Sequence, residues 1–395
     1  MKRFFSYSIL SFFLLLLPTG QASANNNDSI RLSLLTCAPG EEIYSLFGHT
    51  AIRYENSSQG IDVVFNYGLF SFNTPNFIFR FSLGETDYQL GATDYERFAA
   101  EYAFFGRSVW QQTLNLTDEE KTELIRLLQE NYRPENRVYR YNFFYDNCAT
   151  RPRDKIEESI AGKVIYPAEP QDGSLTFRDI VHQYCKGHPW ARFGIDLCIG
   201  SEADQPITQR QMMFAPFYLM DAFDGAQIKG DSIQRPLITA NELIVDATPE
   251  PDESDWMPTP LQCSFLLFIL TAAATIYGIR RRTGLWGIDL FLFGIAGIVG
   301  CVLAFLALFS QHPAVSSNFL LLVFHPGQLL FLPYIIYCVR KGKKCWYLTL
   351  NLAVLTLFIV LFSVIPQRFD FAVVPLALVL LIRSASNLIV TSKKK

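Results

Sequence analysis

The chain has 395 residues, with 34 Lys and Arg against 37 Asp and Glu, for a net charge of −3. That length allows two domains, and so small a charge lacks the basic excess of a nucleic-acid binder. The bulk figures conceal two unlike halves: residues 25–258 are mixed, polar and aromatic-rich, whereas residues 261–390 are strongly apolar with charge held in short clusters.

In chain order, Lys2 and Arg3, an apolar run over 9–17 and Ala22-Ser23-Ala24 read as a signal peptide over 1–24, cleaved before Asn25. Residues 30–37 alternate as a strand, and Pro39-Gly40 marks a turn. From Phe47 onward the pattern again reads as a strand, paired through the turn at 56–60 with a second strand over 61–67. His49 then faces the same way as Phe47, Ala51 and Arg53, and Gly48 lets another chain or a substrate approach closely. Residues 77–83 are apolar and aromatic around Arg80 and read as core, with a lipid-facing surface as the alternative. Thr117 and Glu120 form a capping box that opens a helix with Leu124, Leu127 and Leu128 on its apolar face, ending before Pro134.

The stretch 141–154 crowds four aromatics against the turn Asp146-Asn147, followed by Cys148 and a charged helical run to Gly162. A cysteine near a helix start, with Arg151 and Arg153 close by, is placed to have a lowered thiol pKa. Beyond Gly162 the chain is loop-rich. Residues 177–184 and 210–223 read as helices, 194–200 as a short buried segment around Asp196, and 248–260 as an acidic, Pro-rich linker.

Five apolar spans follow, at about 261–279, 285–309, 319–339, 345–365 and 371–390, each near the ~20 residues needed to cross a bilayer. Basic clusters at 280–282, 340–344 and 393–395 follow the first, third and fifth spans, which puts those ends in the cytoplasm and residue 260 outside. The signal peptide independently exports the same domain. Of eight cysteines, Cys263, Cys301, Cys338 and Cys345 lie in or beside spans and read as fillers. Cys37, Cys148, Cys185 and Cys198 lie in the exported domain, where a Cys185–Cys198 disulfide is open. No cysteine or histidine spacing suits zinc, and no cofactor is implied. His312 and His325 read as caps of broken helix ends, with lipid binding as the alternative.

A strand-borne histidine and a turn-borne cysteine, with a polar third group, are the parts of a thiol nucleophile. Asn66 and Asp62 on the neighbouring strand share the parity needed for the third role, and Asn66 is preferred. Asp146, Asn147 and the arginines beside Cys148 are candidates to steady an oxyanion or a head group, or to serve only as turn formers and ion pairs. The motifs Pro39-Gly40, Ser45-x-Phe47-Gly48-His49-x-x-Ile52-Arg53, Asn66-Tyr67-Gly68 and Asn142-Phe143-Phe144-x-Asp146-Asn147-Cys148-x-Thr150-Arg151 resemble the exported domain of Lnb-type bacterial lipoprotein N-acyltransferases. That domain is similar to circularly permuted papain-like (NlpC-type) folds.

The resemblance implies an α+β permuted papain-like catalytic domain over 25–247, a linker over 248–260, a five-helix transmembrane domain over 261–390 and a cytoplasmic tail over 391–395. It implies Cys148, His49 and Asn66 as catalytic residues, with Ser45, Arg53, Asp146, Asn147 and Arg151 supporting them. The implied reaction moves an acyl chain from a membrane phospholipid, through a thioester on Cys148, to the α-amino group of a lipoprotein's diacylglyceryl-cysteine, at the outer face of the bacterial inner membrane. A membrane-anchored cysteine peptidase or amidase of the envelope would use the same pair, and a non-catalytic scaffold would leave Cys148 merely buried.

Overall fold

A computed structural model describes residues 29–70, 75–168, 175–230, 234–247 and 257–392. The signal-peptide reading, most of the linker and the basic cluster at 393–395 fall outside the described residues.

The N-terminal half is built on an antiparallel sheet of seven strands. These are β1 (Ile30–Cys37), β2 (His49–Asn56), β3 (Ile61–Leu69), β4 (Asp87–Asp94), β5 (Val109–Leu114), β6 (Val138–Arg140) and, late in the chain, β10 (Ile238–Val245), in the order β10-β5-β1-β2-β3-β4-β6. Alternation decides which residues face which layer. Leu32, Leu34 and Ile52 join one apolar cluster with Leu124 and Leu128 of helix α3 (Asp118–Tyr132) and Ile156 of α4 (Thr150–Ser159). Leu35, Cys37, Ala51 and Val64 point the other way, onto Phe98 of α2 (Tyr95–Phe104). The capping box of α3 forms as expected from Thr117 and Glu120. β3 runs past the expected end to Leu69, with its pairing to β4 shifted between Asn66 and Leu69 around Gly68, at φ 93.

A small sheet of β7 (Lys163–Ile165), β8 (Gln227–Lys229) and β9 (Gln234–Pro236) lies apart from the main one. Helices α5 (Phe177–Tyr184), α6 (Pro189–Cys198), α7 (Gln209–Met212) and α8 (Pro216–Asp224) fill the region that reads as loop-rich. The single helix expected over 210–223 is two, because Pro216 cannot continue α7 and instead opens α8. Arg178 is fully buried and bonds Asp196 at 2.6 Å and Asp204 at 2.8 Å, which explains the aspartate in the apolar 194–200 segment. Cys185 and Cys198 are both free thiols.

In the C-terminal half not every expected span is a single unbroken helix. Among the described residues, three helices are long and apolar enough by themselves to cross a membrane: α9 (Pro260–Arg281), α10 (Trp286–Phe309) and α14 (Val373–Ser392). The third expected span is broken. Residues Phe319–Leu330, which end in the short α11 (Gly327–Leu330), meet α12 (Leu332–Lys341) at 74°. Pro326 and Pro333 each remove a helical N–H there. The fourth span holds only the 15-residue α13 (Trp346–Val360), about 22 Å of helix, which loosens into turns ahead of Pro366. A buried pair joins Asp289 to Arg383 at 2.7 and 3.0 Å, and Arg383 also donates to Thr275, tying α9, α10 and α14 together.

The two halves are bonded to each other. Gln311 N–H donates to Leu83 O of α1 (Phe77–Leu83), Gly200 N–H donates to Ala314 O, and Arg368 donates to Asp179 and Asp204. The loops after α10 and α13, poor in Lys and Arg, therefore lie on the side of the N-terminal domain.

Candidate active site

His49 is the first residue of β2. The turn that launches it is held by Ser45, whose Oγ donates to Glu42 O and whose carbonyl accepts from Gly40 and Gly48. Gly48 has φ 77, and a Cβ there would come within 2.5 Å of Cys37 O. Glycine is required there because the neighbouring strand approaches where a side chain would stand. His49 Nε2 lies 3.1 Å from Asn66 Oδ1. An amide oxygen only accepts, so Nε2 carries the proton and Nδ1 is left as the basic nitrogen. Asp62, the other candidate, sits four residues earlier on β3 and is taken by Arg53 at 2.8 and 2.6 Å. Arg53 is itself buried, also donates to Gln111 and stacks on the Tyr95 ring at 3.4 Å. Its duty is to tie the sheet to α2.

Cys148 sits at the same end of the sheet, where β1 stops, β2 starts and β3 shifts register. A Cβ on Gly68 would stand 3.6 Å from Cys148 Cβ. Asn147 is committed to shaping the turn. Its Oδ1 accepts from Ala149 and Thr150 N–H, and its Nδ2 donates to Phe143 and Phe214 carbonyls. Asp146 and Arg151 form a two-pronged ion pair at 2.5 and 2.8 Å, with the guanidinium over the Tyr139 ring.

This arrangement reverses the expected thiol chemistry. Burial pushes the Cys148 thiol up to about 11, while the backbone N–H groups of Thr50 and Cys148 itself, and the Arg107 charge, pull less strongly the other way. The helix start cannot help as expected, since its first free N–H groups are capped by Asn147, and Arg151 and Arg153 are paired with Asp146 and Asp154. Burial likewise lowers His49 to about 4, against the raising effect of Asn66. Both partners therefore rest neutral at pH 7.

Arg107 was not visible as a site residue. Its Nε donates to Ala38 O at the end of β1 and its guanidinium lies over Tyr102, and its charge reaches Cys148, His49 and Cys37 alike. Nothing in its spacing links residue 107 to 49 or 148. Tyr139 was missed too. Its buried hydroxyl has no hydrogen-bond partner among the described residues and lies 4.0 Å from the position of a Cβ on Gly68.

Cys148 and His49 line one cavity of about 1470 Å³. Its walls are mostly aromatic and aliphatic, among them Tyr88, Tyr141 and Phe143, and it extends to Val302 and Phe305 of spanning helix α10. Helix α1, expected as core, buries none of its residues. It lies against α10 through Phe79 and Phe305, whose centroids are 5.9 Å apart, so it meets the membrane side instead. His312 does satisfy a helix end, but that of α1, at Phe81 O, and it also lines the cavity. His325 bonds Asn351 of α13 at the break in the third span. Outside the cavity, His182 bonds Asp196 and His188 lies 3.6 Å from Glu41. Among the described residues no group of three or more His, Cys, Asp or Glu is gathered to hold a metal ion.

Family models for the Lnb N-terminal periplasmic domain and the Lnb transmembrane domain match residues 20–182 and 252–395, together well over half of the chain. The chain belongs to the Lnb family. It is accordingly a multi-pass protein of the inner membrane with its N-terminal domain in the periplasm, and a lipoprotein-processing membrane enzyme. The Lnb periplasmic match holds both His49 and Cys148, and the Lnb transmembrane match holds α10. No curated protein and no solved structure matches the chain.

Proposed function

We propose that this chain is a lipoprotein N-acyltransferase that works through a thioester on Cys148. The observation that carries the reading is that Cys148 and His49, whose ring bonds Asn66, share an apolar cavity whose far wall is a membrane-spanning helix. A peptide substrate would bring polar backbone to walls that offer it few partners. A lipid chain matches them.

In this reading His49 Nδ1 takes the Cys148 proton as the sulfur attacks an acyl ester carbonyl. The carbon–oxygen bond breaks, and the leaving alkoxide takes the proton from the imidazolium, giving a lysolipid alcohol and the acyl thioester. The α-amino group of a diacylglyceryl-cysteine then attacks. The carbon–sulfur bond breaks, an amide forms, and the amine's proton returns through His49 to the sulfur. The Cys148 N–H, which acts on its own sulfur at rest, is the donor at hand for the oxyanion. Asn66 holds the ring, and Ser45, Asn147 and the Asp146–Arg151 pair hold the turns that carry the two reacting residues. We read the domain as a permuted papain-like fold over 25–247, with the histidine strand ahead of the cysteine helix, joined by the linker at 248–260 to a membrane domain over 261–390.

The donor is a membrane phospholipid and the acceptor a lipoprotein. Mass spectrometry of lipoprotein N-termini from cells carrying wild-type protein or Cys148→Ser tests this. Loss of the N-linked chain in the variant is expected. Unchanged N-termini with altered wall peptides would replace the reading with the envelope peptidase. The product mass also locates the donor ester: three chains mean a separate phospholipid, whereas two chains with one on nitrogen mean the ester of the acceptor's own glyceryl group.

A further inference from the structure

We propose that the Cys148 cavity opens sideways into the outer leaflet of the bilayer, through a mouth between α1 and α10, and that acyl chains of a glycerolipid reach the sulfur by that route without crossing water. What enters rests on the acyl-transfer reading; the route does not.

The first observation is the depth of the opening. Val302 lines the cavity and is also 52 % exposed. On a spanning helix an exposed side chain faces lipid, so the cavity meets lipid at that residue. Val302 is seven residues before the periplasmic end of α10 at Phe309, hence about 10 Å below it at ~1.5 Å per residue. That depth lies among acyl chains, in a leaflet whose hydrocarbon is about 15 Å thick.

The second observation is α1 on the opposite lip. Ile78 is 81 % exposed and Phe79 58 %, and both line the cavity. A short helix with no buried residue gains nothing from such side chains in water, but beside α10 it places them in lipid. The third is the way α1 ends. Backbone groups facing hydrocarbon must be bonded. Phe81 O accepts from Gly84 N–H and is 2.6 Å from His312 Nε2, and Leu83 O accepts from Gln311 N–H. The loop after α10 therefore closes the polar end of α1 where water cannot. Arg80, the one charge on α1, is turned to Asp87.

The test uses the full chain in lipid vesicles at pH 8.5, following the Cys148 peptide by mass spectrometry during labelling with N-hexadecylmaleimide, which partitions into the bilayer, or N-ethylmaleimide, which does not need to. Val302→Trp or Ile78→Trp narrows the mouth; Ile298→Trp, on the lipid face one turn deeper and outside the cavity, is the control. A lateral mouth predicts at least a tenfold slower reaction of the hexadecyl probe in either mouth variant, less than twofold change for the ethyl probe, and no change in the control. Hexadecyl labelling that is unchanged in both mouth variants, or slowed equally by Ile298→Trp, would overturn the proposal. Because labelling needs no acyl transfer, a failed transferase reading and a failed route give different results.

Discussion

The resting state of Cys148 can be read from its reaction with iodoacetamide. Burial holds the thiol near 11, so at pH 7 only about one molecule in 10⁴ carries thiolate, against about 3 % for a free cysteine of pKa ~8.5. The Cys148 peptide should therefore be alkylated roughly 300-fold more slowly than an exposed cysteine, with a rate that rises about tenfold per pH unit from 7 to 10. His49 is lowered to about 4 and so is neutral over that whole range. His49→Ala should change the alkylation rate less than twofold while abolishing turnover. Turnover by a neutral imidazole base should be level between pH 6 and 8 and fall only as pH drops toward about 4, where the ring takes up a proton. The measurement is the rate of mass gain on the Cys148 peptide against pH, in both proteins. A fast rate that is flat above pH 5 and collapses in His49→Ala would mean a resting thiolate–imidazolium pair, and the reasoning from burial would be wrong.

Asn66→Ala removes the acceptor that His49 Nε2 has among the described residues, so kcat should fall ~10- to 100-fold with KM within twofold; an unchanged kcat would make Asn66 a packing residue. Tyr139→Phe deletes a buried hydroxyl without a partner among the described residues, so thermal stability should hold within ~0.5 kcal/mol while kcat falls about tenfold if that hydroxyl, which like Cys148 flanks Gly68, serves the reaction. Equal kcat in Tyr139→Phe would remove it from the chemistry. Arg383→Leu leaves the buried Asp289 without its partner and should cost about 3–5 kcal/mol in detergent unfolding, whereas the double change with Asp289→Leu should recover most of that. An equal loss in the single and double variants would contradict the ion-pair account.

Features carried by local chemistry were legible in the sequence. Thr117 and Glu120 cap α3 as their spacing demands, and α5 spans 177–184. The parity of β3 offers Asn66 and Asp62 alike to His49, and it is Asn66 that bonds the ring. What depends on distant packing was not legible. Asn147 and Arg151 look like free polar groups near a nucleophile, but the carbonyls of Phe143 and Phe214 and the carboxylate of Asp146 occupy them. Arg107 reaches the site only because β1 ends beside residue 108, where Ala38 N–H meets Ser108 O. The apolar run of α1 carries no sign of whether core or membrane covers it; the contact with Phe305 decides that. The third span reads as continuous because averaged hydropathy hides Pro326, Gly327 and Pro333, whose backbone effects break it at 74°.

Trapping the acyl-enzyme tests the central claim most directly. Purified full-length protein would be held in vesicles containing phospholipid and a diacylglyceryl-cysteine peptide whose amine is acetylated, so that no acceptor can clear the thioester. An acyl mass on the Cys148 peptide, released by hydroxylamine and missing from His49→Ala, is the predicted result. An unmodified Cys148 in protein that still transfers chains to an unblocked peptide would contradict it.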